Sequence, residues 1–241
     1  MGSFFVEIKM RILPTLFFFA LALATSFAFY DVLDFFVTYL KSGWVFGSIY
    51  IRFLVICFFA IGLHLLLSTI RKGKKMKFIL TFLIALLPGF GISFITPVYD
   101  IDYGYYGDDL ELIEMDSLEV FTNGAYHFSG ERTVITFFTT VCPHCMSVSQ
   151  KLGTNLQAGQ EVSVVSFFPG TKEDTEFFLE QNNGQAFEMY LIDDKTNFTG
   201  AGGHVFPSVF VIGPDGSTEQ HYTGDVVNYT ALDHIYDLKK Q

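Results

Sequence analysis

Two cysteines separated by two residues, Cys142-Pro143-His144-Cys145, are the part of this chain whose residue types and spacing can do chemistry. A thiolate attacks a disulfide sulfur, a mixed disulfide forms, and a second thiol close by releases it. Cys142 falls at a helix start, where backbone N–H groups favour an anionic sulfur, so it reads as the nucleophile. Cys145 follows nearly one turn further in and reads as the buried resolving thiol. His144 lies between them. When partly protonated it would help to hold the Cys142 thiolate, and a stabilised thiolate makes the disulfide the better oxidant. The alternative for His144 is a solvated helix-start residue without electronic effect.

Elements must position this pair. A buried strand is predicted at about Arg132–Thr139, apolar and rich in β-formers, leading into a helix at about Pro143–Leu156. A strand at about Val162–Phe168 and a helix at about Lys172–Gln181 come next, then a short strand at about Glu188–Ile192. Strands at about Ser208–Ile212 and Glu219–Tyr222 flank a Pro214-Asp215-Gly216 turn, and a last helix covers about Val227–Leu238. Early βαβ alternation implies parallel pairing, and the later turn implies an antiparallel hairpin. The expected fold class is α/β, a mixed sheet flanked by helices, preceded by an all-α membrane region.

The order of these elements, the Cys-x-x-Cys at the first strand–helix junction and Phe206-Pro207 ahead of the hairpin resemble the thioredoxin fold over roughly residues 115–240. The run Thr136-Phe-Phe-Thr-Thr-Val-Cys-Pro-His-Cys145 resembles the active-site segment of bacterial disulfide oxidases of the DsbA type, which share the Pro-His dipeptide. The stretch Phe206–Ser217, followed by Tyr222-Thr-Gly224, resembles the membrane-anchored extracytoplasmic proteins related to TlpA and ResA. The resemblance implies a thiol–disulfide oxidoreductase with Cys142, Pro143, His144 and Cys145 as its catalytic segment and no cofactor. It also implies a cis bond before Pro207, with Phe206 offering its backbone to an extended substrate; a trans Pro opening an edge strand is the alternative. Two positions depart from the pattern. Thr136 stands where many relatives bury an acid that moves a proton to the resolving thiol, and Val141 replaces the usual aromatic before the first cysteine.

Other groups are weighed against this site. Cys142, Cys145, His144 and His204 would suit copper or zinc as soft ligands, but no second Cys-x-x-Cys completes a structural zinc site, and no metal is expected. Gly200–Gly203 reads as a flexible loop beside the Pro207 turn. Asn197-Phe-Thr199 and Asn228-Tyr-Thr230 match glycosylation sequons. Cys57, alone in an apolar run, reads as a small buried or lipid-facing residue.

The chain has 241 residues, and its charge is uneven. Residues 1–98 carry 3 acids and 9 bases, whereas 99–241 carry 22 acids and 6 bases. The acidic half argues against nucleic acid as a partner, since phosphate contacts need clustered Lys and Arg. The basic half, residues 1–98, is a membrane region with apolar segments at about 12–29, 44–67 and 78–98. Within it Arg52 and His64 read either as a polar site or as snorkelling and inter-helix hydrogen bonding, and Pro88-Gly89 suggests a kink or break. Arg71, Lys72, Lys74, Lys75 and Lys77 put the link between the second and third segments on the cytoplasmic side. The Tyr30–Gly43 loop and everything after Val98 then lie outside. The first segment also reads as a cleavable signal, with Ser26-Phe27-Ala28 as the cleavage site, so either two or three spans are expected. Residues 99–109 form a linker, and 110–241 the outer domain.

The expectation is a multi-pass protein of the cytoplasmic (inner) membrane whose extracytoplasmic domain exchanges disulfides with cysteine-containing exported proteins and with a membrane redox partner. A reductase serving haem-protein maturation and a copper metallochaperone on the same fold are the alternatives.

Overall fold

Five short strands rich in Val, Ile, Thr and Phe build the sheet that carries the site. The computed structural model describes residues 2–70, 78–96, 112–202, 204–224 and 227–238. The predicted basic link at 71–77 and linker at 99–109 lie outside the described residues. The chain divides into two compact units, one of residues 1–36 and 46–98, the other of 37–45 and 99–241.

In the second unit the strands are β1 (Thr133–Phe137), β2 (Ser163–Phe168), β3 (Glu188–Leu191), β4 (Ser208–Ile212) and β5 (Thr218–Thr223). They lie in the order β3-β2-β1-β4-β5. β1 pairs parallel with β2 and antiparallel with β4, and β2 pairs parallel with β3. β1 and β4 are buried along their whole length, as strands covered on both faces are. The Gly213–Ser217 turn closes the β4–β5 hairpin, with Gly216 at φ +80° and the Asp215 carboxylate accepting from the Ser217 amide.

The helices of this unit are α5 (Met115–Phe121), α6 (Pro143–Gln157), α7 (Lys172–Gln181), α8 (Lys195–Gly202) and α9 (Tyr229–Asp237). Because side chains alternate along a strand, the sheet has two distinct faces. Ile135, Phe137, Val165, Phe167, Phe210 and Ile212 form an apolar cluster with Leu118 of α5 and Phe198 of α8. On the other face, Phe138 and Phe168 pack their rings on Phe178 of α7 at 6.0 and 5.3 Å. α6 shares that layer: Ser149 donates to the Asn182 carbonyl, and a Cβ on Gly153 would lie 2.2 Å from the Asn183 oxygen. α9 completes it through His234, whose ring nitrogen is 2.6 Å from the Tyr222 hydroxyl. The topology is that of the thioredoxin fold, a mixed sheet with helices on both faces.

Two helices of this unit were not anticipated. α5 is a short amphipathic turn that buries Leu118, too brief to show a period. α8 replaces the expected flexible loop at Gly200–Gly203: residues 195–202 are helical, capped by the Asp194 carboxylate on the Thr196 and Asn197 amides. A Cβ on Gly202 would sit 2.4 Å from the Phe137 ring, so this glycine permits close approach of helix and strand rather than flexibility.

The unit also takes in residues 37–45. The Trp44 ring is buried, stacks on Tyr229 at 5.9 Å and donates through Nε1 to Asn155 Oδ1 at 2.7 Å. Asp233 accepts from the Trp44 and Val45 amides, and Lys41 donates to the Ala158 carbonyl. Burial holds the Asp233 carboxyl above its ordinary range, although both amides oppose the shift.

The first unit is helical, with α1 (Gly2–Phe27), α2 (Phe29–Leu40), α3 (Trp44–Ile70) and α4 (Phe78–Ser93); α1 starts ahead of its predicted segment and stops at Phe27, and α3 runs past its predicted end to Ile70. α3 is by itself long and apolar enough to cross a membrane, and α1 with α2, bent by 78°, would make one more if the pair is a single span. Where a loop was expected at Tyr30–Gly43, α2 runs to Leu40, burying Phe29, Leu33 and Val37 four residues apart. α4 ends at Ser93 instead of Val98 and stays helical through Pro88. Gly89 of α4 faces α3, where a Cβ would make an ordinary contact 3.4 Å from the Ile56 Cα. Arg52 and His64 make inter-helix contacts. Arg52 Nη1 donates to the Ser93 and Thr96 carbonyls, and its guanidinium lies 4.7 Å from the Phe29 ring centre and 5.2 Å from that of Phe94. His64 Nδ1 is 3.3 Å from the Thr81 hydroxyl.

Candidate active site

β1 ends at Phe137, residues 138–141 form the crossing, and Cys142 caps α6 with extended backbone. Pro143 occupies the first helical turn, where its missing N–H would have had no partner and its fixed φ suits the helix. The Cys142 sulfur accepts from the Cys145 amide at 3.4 Å, taking the place of a capping oxygen. Its thiol in turn donates to the Phe206 carbonyl at 3.8 Å. The peptide bond between Phe206 and Pro207 is cis, so the trans alternative does not hold. The Phe206 ring turns inward and stacks on Phe198 at 5.1 Å, leaving its backbone toward the sulfur.

The two cysteines differ sharply in environment. Cys142 is partly exposed, and Cys145 has no accessible surface. Burial is the main reason that the Cys145 thiol is pushed up to about 12, and the neighbouring Cys142 adds to it. The nearby Thr139 opposes the shift. His144 is exposed on the first turn of α6. Val141, at 84% exposure, and Val205, at 55%, provide apolar surface near the partly open Cys142.

Beneath the pair, Thr136 and Ser166 occupy neighbouring positions of β1 and β2, both fully buried, with their hydroxyls 2.8 Å apart. Thr136 is the position noted above as departing from the pattern of the resemblance, and its hydroxyl is paired with that of Ser166. Ser208, just after Pro207, is bonded to His221 Nε2 at 2.8 Å, on the opposite face of the sheet.

Thr139, Ser166 and His221 were not singled out from sequence. Thr139 carried only one weak signal, a hydroxyl residue just past a strand end and three before the first cysteine. His204, considered as a ligand, is exposed, and among the described residues no group of three or more His, Cys, Asp or Glu is placed to hold a metal ion. Of the two sequons, Asn228 is buried and caps α9 by accepting through Oδ1 from the Ala231 amide at 3.0 Å.

Fold and site together define a thioredoxin-like domain with a dithiol pair at its first strand-to-helix junction and a cis-proline facing it. No protein-family model and no curated protein matches the chain. Among solved structures the chain is similar to a secreted Mycobacterium tuberculosis disulfide oxidoreductase homologous to E. coli DsbE, at 17% identity over 44% of this chain and 81% of that one, TM-score 0.38. StoA from Bacillus subtilis is similar at 18% identity over 46% and 85%, TM-score 0.39. The thioredoxin domain of a Bacteroides vulgatus thiol-disulfide oxidoreductase is similar at 16% identity over 56% and 99%, TM-score 0.38.

Proposed function

We propose that this protein is a membrane-embedded thiol–disulfide oxidoreductase whose Cys142–Cys145 pair exchanges with cysteines of exported proteins. The observation that carries the reading is the asymmetry of the pair. A partly exposed sulfur caps a helix 3.8 Å from the Phe206 carbonyl, and a fully buried sulfur follows one turn in. A substrate sulfur can reach Cys142 and cannot reach Cys145. Cys142 therefore forms the mixed disulfide, and Cys145 closes or opens the internal bond. Phe206 and Pro207 form the wall along which an extended substrate segment lies, and the exposed Val141 and Val205 give it apolar contact.

The charge asymmetry supports the location. Five bases at Arg71–Lys77 favour a cytoplasmic link, and α3 is long and apolar enough to lead away from it. The acidic domain then works outside the cytoplasmic membrane, where disulfides persist, as part of a multi-pass protein served by a membrane redox partner.

The test is a trap. A Cys145→Ala variant of the full chain, expressed in cells, should accumulate mixed disulfides at Cys142, resolved by mass spectrometry into exported proteins and a redox partner. Capture no greater than by a Cys142→Ala, Cys145→Ala double variant sinks the reading.

A further inference from the structure

The Phe206–Pro207 wall is irregular backbone, so its place beside Cys142 is set by what lies behind it. β4 begins one residue later, at Ser208. In the sheet register Ser208 lies opposite Phe137, the last residue of β1, and β1 leads on to Cys142. Ser208 is therefore the point at which the strand carrying the wall meets the strand leading to the nucleophile. Its side chain is fully buried, and a buried hydroxyl needs a partner.

His221 of β5 supplies it. Its Nε2 and the Ser208 hydroxyl are hydrogen-bonded at 2.8 Å, and its ring, itself buried, stacks on Phe210 at 4.0 Å. In register His221 faces Phe210, so the bond to Ser208 runs diagonally across the hairpin. The chain just past β5 holds the wall at a second point, where the Gly224 amide donates to the Pro207 carbonyl at 2.7 Å. The Phe206 ring gives a third: it stacks on Phe198, which meets Phe137 edge-on at 5.6 Å. An apolar pair in place of Ser208 and His221 would avoid the cost of burying polar groups, but it would fix no direction. The hydrogen bond fixes one, at the residue that follows the cis-proline.

We propose that His221 is a positioning residue for substrate capture: through Ser208 it sets Phe206 and Pro207 against Cys142, where the backbone of an extended substrate is held. The inference rests on the thiol–disulfide reading above and adds a selectivity to it. A disulfide carried on a peptide is attacked faster than a small disulfide with the same leaving group. The chemistry is the same for both. The Cys142 thiolate attacks the cysteine sulfur of the substrate, the bond to the leaving thiol breaks, and that thiol departs as the thiolate. Cys145 then gives its proton to solvent and attacks Cys142, and the substrate cysteine leaves as a thiolate that takes up a proton. Only the hold on the substrate backbone differs, and that is what His221 governs.

The experiment compares two disulfides of one coloured aromatic thiol, the first with free cysteine, the second with the central cysteine of a short blocked peptide flanked by valine. Each is mixed with the reduced full-length chain in detergent, with Cys57→Ala so that the pair supplies the only thiols, and release is followed per folded protein. The parent should prefer the peptide. Ser208→Ala and His221→Phe, which keeps a ring on Phe210, should each slow release from the peptide about tenfold and leave release from the cysteine disulfide within about twofold. The double variant should lose no more than the worse single one, because both remove the same bond. His221→Gln, whose side-chain amide ends near the place of Nε2, should restore the preference. The inference is overturned by a parent that attacks both disulfides equally, or by single variants that keep its preference or slow both releases alike. It is also overturned if the losses multiply in the double variant, or if His221→Gln is as slow as His221→Phe. A parent that releases thiolate from neither disulfide overturns the exchange reading itself, and this inference with it.

Discussion

Arg52 and Cys142 are both charge-bearing groups set at the end of a helix, and they meet opposite ends. Arg52 donates to the Ser93 and Thr96 carbonyls where α4 stops, a cation at the negative end of a helix dipole. Cys142 caps α6 and accepts an amide, a sulfur at the positive end of a helix dipole. The electrostatics are the same with the sign reversed. Arg52 is enclosed between the Phe29 and Phe94 rings and bonded to backbone groups that have few other partners in an apolar unit, so its charge holds helices together. Cys142 is partly exposed, and its neighbours are a weak sulfur contact and an open apolar edge, so its sulfur remains accessible. What separates structure from chemistry here is access to solvent and substrate, not the local field.

The comparison is broken most severely by removing the reactive member. Cys142→Ser should abolish disulfide exchange while leaving the melting temperature of the reduced protein nearly unchanged, as measured by dithiol oxidation and by thermal unfolding. Arg52→Ala should do the reverse. It leaves carbonyls at the end of α4 without their charged donor, at a cost of about 2–3 kcal/mol, read as a lower unfolding temperature in detergent. Exchange by the folded fraction should persist, and a matched loss of exchange would show that Arg52 also serves the site. Gly202→Ala pushes a methyl group into the Phe137 ring and should cost about 1–3 kcal/mol by overpacking. It should also disturb Phe198 and the Phe206 wall, so substrate capture is expected to fall more than small-disulfide reactivity.

A smaller effect sharpens the contrast between the two cysteines. The Cys145 thiol is raised to about 12, well above an unfolded cysteine near 9. The unfolded chain therefore gives up this proton first. The contribution to stability is fully present below the unfolded value and is lost as pH rises from about 9 toward about 12. Denaturant unfolding of reduced protein should show a steeper alkaline decline than a Cys145→Ala variant; equal slopes would mean that Cys145 is not buried as a neutral thiol. The smallest effect expected is from Thr171→Ala. Thr171 caps α7, remote from both charged helix ends, by accepting from the Asp174 amide at 3.2 Å, and its loss should cost about 1 kcal/mol of unfolding free energy without touching exchange.

The strands and longer helices of the redox unit were legible because their apolar runs are short, β-rich and punctuated by Gly, Pro and capping residues. α7 at Lys172–Gln181 and β4 at Ser208–Ile212 match their predicted bounds. α8 was not legible: its glycines imitate a loop, and only the proximity of Phe137 explains Gly202. α2 was not legible either, because Asp31, Asp34 and Lys41 read as loop polarity while the face of Phe29, Leu33 and Val37 is hidden by the aromatic residues around it.

By itself the sequence singled out the two thiols, since a pair at this spacing after a strand has few other uses, and it determined the charge division between the two halves. It left undecided which groups would face the buried sulfur. Thr136, which departs from the buried acid that the resemblance would place there, is bonded to Ser166. Hydrogen-bond partners depend on directions in space, which residue spacing does not encode. The burial of Cys145 and the meeting of Phe206 with Cys142 across 64 residues likewise exist only once the sheet has brought β1 and β4 side by side.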